Sequence, residues 1–337
     1  MKRLTAKEEI IGFFIVLLSC SPFLFAQKAQ IKTGYDYEIN MGDQARKDDY
    51  ILLSDRQQLM SYNPTALRMD INSKKTDYPR AEVKVSYNYH KKSFRGSDGV
   101  VERDIPFVLL ANPTASKFFC RATEYKDSLQ STPSGKALND QMLHAAIIKY
   151  IDSKDRSAMD GVTYRTQLYV FKSKTDHEYQ VYDYVGMTGN FYYRDSLDEI
   201  PWSIADSTKV ILGYECIMAT ADYHGRQWTA WFTPEIPIQD GPWKLQGLPG
   251  LILEASEPSG QHHFVANGLE ASNEAMVPVY TPERYDKSTR FEMLRMERNA
   301  RNNGNAMIKA QIDLDLGPDA PMTEQSRIYD FLETDYH

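Results

Sequence analysis

The sequence predicts a mainly β (α+β) protein: an antiparallel, curved sheet with one or two amphipathic helices packed on it. Three observations carry that expectation. Tyr is abundant, 22 in 337 residues, and aromatic side chains suit a pleated, half-buried surface. Much of the chain alternates polar residues with aromatic or β-branched ones, the period-two pattern of strands with one face to a core. The stretches between are short and polar, HGR and SKTD for example, which suits hairpins rather than the long crossovers of parallel pairs.

The chain opens on a leader. MKRLTAKEEIIGFFIVLLSCSPFLFAQ has a short basic start and an apolar run over residues 10–26, broken by Pro22 before the small Ala26. This is the layout of a secretory signal, residues 1–26, cut after Ala26. LLSC (17–20) offers a second reading, a bacterial lipobox with Cys20 as the lipidated residue. Either route exports the protein, to the periplasm or the outer membrane. No later segment approaches the roughly 20 continuous apolar residues of a transmembrane helix.

Six stretches carry the alternation: QIKTGYDYEI (30–39), AEVKVSYNYH (81–90), TYRTQLYVFK (163–172), EYQVYDYVG (178–186), KVILGYECIMATADY (209–223) and RQWTAWFT (226–233). Residues 27–80 read as an N-terminal β-hairpin extension and 81–337 as the main domain. YNPTAL (62–67) is echoed by ANPTAS (111–116), but the flanking matches differ in offset, so two similar hairpins account for it better than a stacked repeat. Two stretches depart from strand patterning. Within 135–158, Leu138, Met142, Ala145, Ala146 and Tyr150 stand near helical spacing. Residues 282–310 are rich in Arg, Glu and Met, with Gly304 as a break. The arginines of the second helix alternate with glutamates, which makes it a solvated face rather than a basic binding helix.

The formal net charge is −7. Loss of a leader holding Lys2, Arg3 and Lys7 against Glu8 and Glu9 would bring it to about −8, and an acidic surface of mixed charge argues against a nucleic-acid partner. Of the three cysteines, Cys20, Cys120 and Cys216, the last two could form a disulfide in an oxidising compartment or stand as two buried thiols.

Residues 213–256, GYECIMATADYHGRQWTAWFTPEIPIQDGPWKLQGLPGLILEAS, resemble the signature of the GLPGLI family, exported proteins of the Bacteroidetes group. The name-giving hexapeptide stands intact at 247–252, preceded by Gly225-Arg226, Trp228, Ala230-Trp231, Thr233-Pro234, Ile236-Pro237 and Gly241-Pro242. A shorter element, ASKFFCRATEYKDSL (115–129), resembles the family more weakly. The resemblance implies compartment and fold; it brings no reaction and no catalytic residues.

Pro234, Pro237, Pro242 and Pro249 exclude a run of central strands here. The segment is therefore a rigid connection between a strand ending near Thr233 and one beginning at Leu251. Leu248-Pro249-Gly250-Leu251 fits a type II turn, with Gly250 at the position of positive φ. LILE then places Leu251 and Leu253 on one face, Ile252 and Glu254 on the other. Two purposes fit such a loop: a plug closing the core of the sheet, or one wall of an apolar recess. Trp228 and Trp231, three apart on one strand, face opposite ways, so at most one shares a pocket with Trp243. The candidate binding or structural loop comprises Arg226, Trp228, Trp231, Glu235, Asp240, Trp243, Leu248, Pro249 and Gly250.

No hydrolase, zinc-protease, Walker or dinucleotide motif is present, so no cofactor or metal is expected. His262 and His263 are adjacent and would face opposite ways on a strand, and His224 sits in a turn. These features point to a non-catalytic envelope protein that binds an apolar or peptide-like ligand or a protein partner. The alternative is a carbohydrate-active enzyme using Glu235 and Asp240 beside Trp231 and Trp243, because paired carboxylates flanked by indoles build sugar clefts. The acidic, aromatic end YDFLETDYH reads as a docking tail or as a final strand.

Overall fold

The computed structural model describes residues 78–94, 100–159, 162, 164, 166–185, 188–302 and 331–335. The leader, the hairpin extension up to residue 77 and Gly304 lie outside them. The chain divides into two compact units, one containing Tyr125–Tyr164 and the other Thr76–Glu124 with Arg165–His337.

The first unit is helical. Helix α1 (Arg121–Gln130) begins in the second unit and ends here; α2 (Pro133–Ser153) follows. Thr132 caps α2, its hydroxyl accepting from the Gly135 amide at 3.1 Å, and Pro133 takes the first turn, where a missing N–H costs nothing. The buried stripe is Gly135, Asn139, Leu143, Ala146, Ile147 and Tyr150. It is rotated slightly from the face expected from the sequence, leaving Leu138 and Met142 half-buried. Leu143, Ala146, Ile147, Tyr150 and Met159 form the small core of this unit.

The second unit is built on one open sheet. Its strands are β1 (Val83–Phe94), β2 (Val100–Ala111), β3 (Ala115–Phe119), β4 (Tyr169–Ser173), β5 (Glu178–Val185), β6 (Gly189–Ser196), β7 (Ser203–Ile211), β8 (Tyr214–Tyr223), β9 (Arg226–Thr233), β10 (Leu251–Ser256), β11 (His262–Ala271) and β12 (Asp286–Lys287). Their order is β12-β6-β5-β4-β3-β2-β1-β11-β10-β9-β8-β7. Among the described residues every neighbouring pair is antiparallel except β12–β6. The predicted antiparallel sheet is thus the architecture of this unit.

Local chemistry explains the turns. The stretch 209–223, which reads as one alternating run, is a hairpin instead. It folds at Leu212 and Gly213, whose φ values are +52° and +87°, between the paired residues Ile211 and Tyr214. His224 and Gly225, at +51° and +78°, repeat this device between Tyr223 and Arg226. Two consecutive residues of positive φ make the type I′ turn, whose twist matches that of the flanking strands. Alternation alone cannot reveal such a turn, because the period continues across it. Asn112 organises the β2–β3 turn, its side-chain oxygen accepting from the amides of Thr114 and Ala115 at 2.8 and 2.7 Å.

One face of the sheet holds the main core, which includes Tyr87, Phe107, Phe118, Val170, Trp228, Phe232 and Phe264. The loop 234–250 folds over this face, contributing Trp243, Leu245 and Leu248. Helix α3 (Arg290–Asn302) adds Met293 and Met296. It starts from a capping box in which the Thr289 amide donates to Glu292 Oε2 at 3.0 Å and the Glu292 amide to Thr289 Oγ1 at 3.3 Å. The opposite face carries a second core of Val108, Leu110, Phe119, Tyr169, Phe171 and Tyr182, covered by Met276, Val279 and Tyr285. Strands β3 and β4 are therefore buried on both faces.

Candidate functional site

The signature loop is interior. Trp228, Trp243, Leu245, Leu248, Leu251, Ile252 and Leu253 are all buried, and the Trp228 and Trp243 rings lie 5.6 Å apart. Ile252 is in the core alongside Leu251 and Leu253, which strict alternation does not allow. The reason is a register irregularity between Ile252 and Glu254; a bulge re-aims the side chain. Trp231 points the other way, half-buried, with Lys209 Nζ 4.3 Å from its ring centroid.

The expected type II turn is not formed. Gly250 is not in the positive-φ region; Gly247 is, at +90°. The Gly250 amide donates to Leu248 O at 2.7 Å and the Leu251 amide to Ile236 O at 3.1 Å, so no bond closes Leu248 to Leu251. Gly250 is required for a different reason. A Cβ there would stand 2.1 Å from the Thr233 carbonyl oxygen and 2.6 Å from its carbon, so the loop passes too close to the end of β9 for any side chain. Pro249 is exposed at the tip.

Glu235 and Asp240 have separate environments. Glu235 is exposed and accepts from the Glu215 amide at 3.2 Å. Asp240 is fully buried: Lys172 Nζ, reaching across from β4, donates to its Oδ1 at 2.7 Å, and Lys174 Nζ stands 3.4 Å from Oδ2. The same Lys172 donates to Gly241 O at 3.1 Å and Leu245 O at 3.0 Å. Burial by itself would raise the Asp240 carboxyl, but Lys172 and Lys174 hold it below its usual range. Asp240 is an internal anchor of the loop.

Of the two cysteines weighed as a disulfide, Cys120 follows β3 and Cys216 lies on β8; both are buried free thiols. Burial pushes the Cys216 thiol up to about 11, which makes it a core residue rather than a nucleophile. His262 and His263 do point apart: His262 Nδ1 meets Tyr89 OH at 2.6 Å in the core, and His263 Nε2 meets Glu254 at 3.0 Å on the other face.

The chemistry that remains gathers where the signature meets residues 331–335. Arg226 Nε donates to Phe331 O at 2.9 Å and Leu332 O at 3.2 Å. The Thr334 amide donates to His224 O at 3.0 Å, and its hydroxyl to Gly225 O at 2.9 Å. Gly225 admits this segment, since a Cβ there would lie 2.3 Å from Thr334 Oγ1. Below, the wholly buried Lys244 ammonium lies 4.9, 5.2 and 5.3 Å from the ring centroids of Tyr179, Tyr193 and Trp243, a cage that favours a cation. Glu333, buried, pairs with Lys244 on one oxygen and with Arg290 on the other; Arg290 also holds Asp335. Burial would raise Glu333, but Lys244, His224 and Arg290 keep it below the usual carboxylate range.

His224, Glu333 and Asp335 bring potential ligand atoms within 4.8 Å of one another. Glu333 already faces Lys244 and Arg290, and Asp335 faces Arg290, so the positive charge a cation would supply is present in the protein. Burial, and then Lys244, push His224 down to about 4. A folded pKa below the ordinary 6.5 means that the unfolded chain takes up this proton first as pH falls. The contribution is therefore complete above about pH 6.5 and is lost between there and about pH 4. Urea unfolding at pH 7 and pH 4.5 should show a loss from this group on the order of 2 kcal/mol. His224→Asn, which tolerates the left-handed backbone, should reduce that slope.

Sequence reasoning named Arg226 and Trp243 here but not Lys244, Arg290 or Glu333. Two signals were present: Lys244, the one basic residue of the loop 234–250, and the acidic end read as a docking tail or a final strand.

A comparison with the curated proteins finds no match. Among solved structures the chain is similar to PNGF-II in two crystal forms, at 12% and 11% identity with TM-scores of 0.43 and 0.41. Each likeness covers 66% of this chain, which spans about a third (34%) of the PNGF-II chain. A Vibrio parahaemolyticus domain described as an outer membrane lipoprotein-sorting protein is similar at 5% identity and a TM-score of 0.18, covering 62% of this chain and 93% of that one. Among the described residues no helix is long and apolar enough to cross a membrane. Residues 222–254, the segment that forms the turn, the buried loop and most of the clamp, match the family model described as a protein of unknown function, Porph_ging.

Proposed function

We propose that the chain is an exported cell-envelope protein of the GLPGLI type with a non-catalytic role, binding a peptide-like segment of a partner on its signature. The observation that carries this reading is the clamp itself. Arg226, the His224-Gly225 turn, Lys244 and Arg290 grip the segment 331–335 through both main chain and side chains. Such a surface recognises peptide by hydrogen bonds to the backbone and pockets for alternate side chains. The leader and the signature support the envelope assignment. The carbohydrate-active alternative needs two carboxylates facing one cleft; the full burial of Asp240 against Lys172 speaks against it.

The test is mass spectrometry of the mature protein isolated from its native envelope, first under native and then under denaturing conditions. The expected result is an additional peptide or protein mass that is lost on denaturation. A bare polypeptide in repeated preparations, with no partner trapped by cross-linking, would overturn the binding role. The denatured mass also distinguishes cleavage after Ala26 from lipidation at Cys20.

A further inference from the structure

The clamp is built from paired charges. Resting on the binding role above, we infer that its partner is an acidic peptide segment carrying two carboxylates two residues apart, and that Glu333-Thr334-Asp335 is a resident competitor for the same seat. Each position of the segment meets a distinct feature. The first carboxylate, on Glu333, meets the caged Lys244 ammonium with one oxygen and Arg290 with the other. The second, on Asp335, takes the other side of Arg290 and faces His224 Nδ1 at 3.4 Å. The residue between them lies on the Gly225 backbone, where only glycine leaves room. Upstream, Arg226 reads the carbonyl oxygens of Phe331 and Leu332, which fixes the path of the backbone.

Charge balance favours this class of occupant over a neutral or basic peptide. Lys244 is wholly buried and the Arg290 side chain is 7% exposed. Removing both carboxylates without replacement would leave two desolvated cations facing each other's field, a costly arrangement. A partner that displaces residues 331–335 must therefore bring carboxylates of its own. Hydrogen bonds between charged groups are short-range and geometric, so the spacing of the two acids is part of the recognition.

A labelled synthetic peptide of residues 329–337, YDFLETDYH, added to the full chain and followed by fluorescence anisotropy, tests this. The wild-type chain, whose own segment competes at high effective concentration, should bind the peptide weakly. The full chain carrying Glu333→Gln and Asp335→Asn should bind it at least about tenfold more tightly. A second peptide with Gln and Asn in place of the two acids should lose at least about tenfold on the same protein; this comparison does not depend on any further variant folding. Equal binding of the two peptides, or no saturable binding by a double variant whose circular dichroism matches that of the wild-type chain, would overturn the inference. So would a dimer of the wild-type chain that dissolves on addition of the acidic peptide, because the occupant would then be a second copy. If envelope-isolated protein carries a partner while the acidic peptide fails to bind, the binding role stands and only the two-carboxylate specificity falls.

Discussion

Replacing Asp240 by Ala should lower the stability of the folded chain by about 3–5 kcal/mol, read as a fall in the urea midpoint. The reason lies in what stays behind. Lys172 spends its three protons on Asp240 Oδ1, Gly241 O and Leu245 O, all in a site closed to water. Without the carboxylate the ammonium keeps two neutral carbonyls, and Lys174 adds like charge. Removing both members, as Lys172→Met with Asp240→Leu, should recover most of the loss, since an apolar pair of similar size carries no stranded charge. Glu235→Ala should change stability by no more than about 0.5 kcal/mol, because that residue is exposed. The acid limb offers a second reading. The folded Asp240 carboxyl lies below its ordinary 3.8, so its contribution is complete above that pH and disappears as pH falls through the lower folded value. The Asp240→Ala chain should lack this step. Additive single-variant losses, with no recovery in the double variant, would show that the pair is not the anchor described.

Trp228→Ala should cost a similar amount, about 3–5 kcal/mol. The ring is fully buried between Trp243, at 5.6 Å, and Phe264, at 6.2 Å between centroids. Truncation leaves a cavity where the signature loop rests on the sheet, and close-packed neighbours relax into it only in part. Trp228→Phe should cost far less, no more than about 2 kcal/mol. It retains an aromatic ring and removes an indole N–H that finds no acceptor among the described residues. Thermal or urea unfolding of the two variants separates the contributions of volume and of the buried donor. A Phe variant as unstable as the Ala variant would mean that the N–H is satisfied in solution. Trp231→Ala, on the half-open face, should fall well short of either.

Much of the sheet was legible from residues alone. Strand β9 occupies the segment 226–233 that the alternation marks, and β5 begins at Glu178 as read. Trp228 and Trp231 part to opposite faces because a strand with no bulge between them alternates its side chains. The four prolines confined the signature to a connection. These are local facts: periodicity and φ restriction act within a few residues, and a single chain displays them.

What the tertiary structure decided depends on pairs distant in sequence. Asp240 looks like half of a catalytic pair until Lys172, 68 residues away, is placed against it. Lys244 acquires its role from Glu333, 89 residues away, and from two tyrosines of β5 and β6. Gly250 is legible as a glycine that matters, but the reason for it, the Thr233 carbonyl oxygen at its back, belongs to the close approach of β9. Burial and charge pairing are properties of the assembled fold. The sequence by itself determined where the strands and the rigid loop lie; only the packing of that loop on the sheet turned its charged residues into an anchor and a clamp.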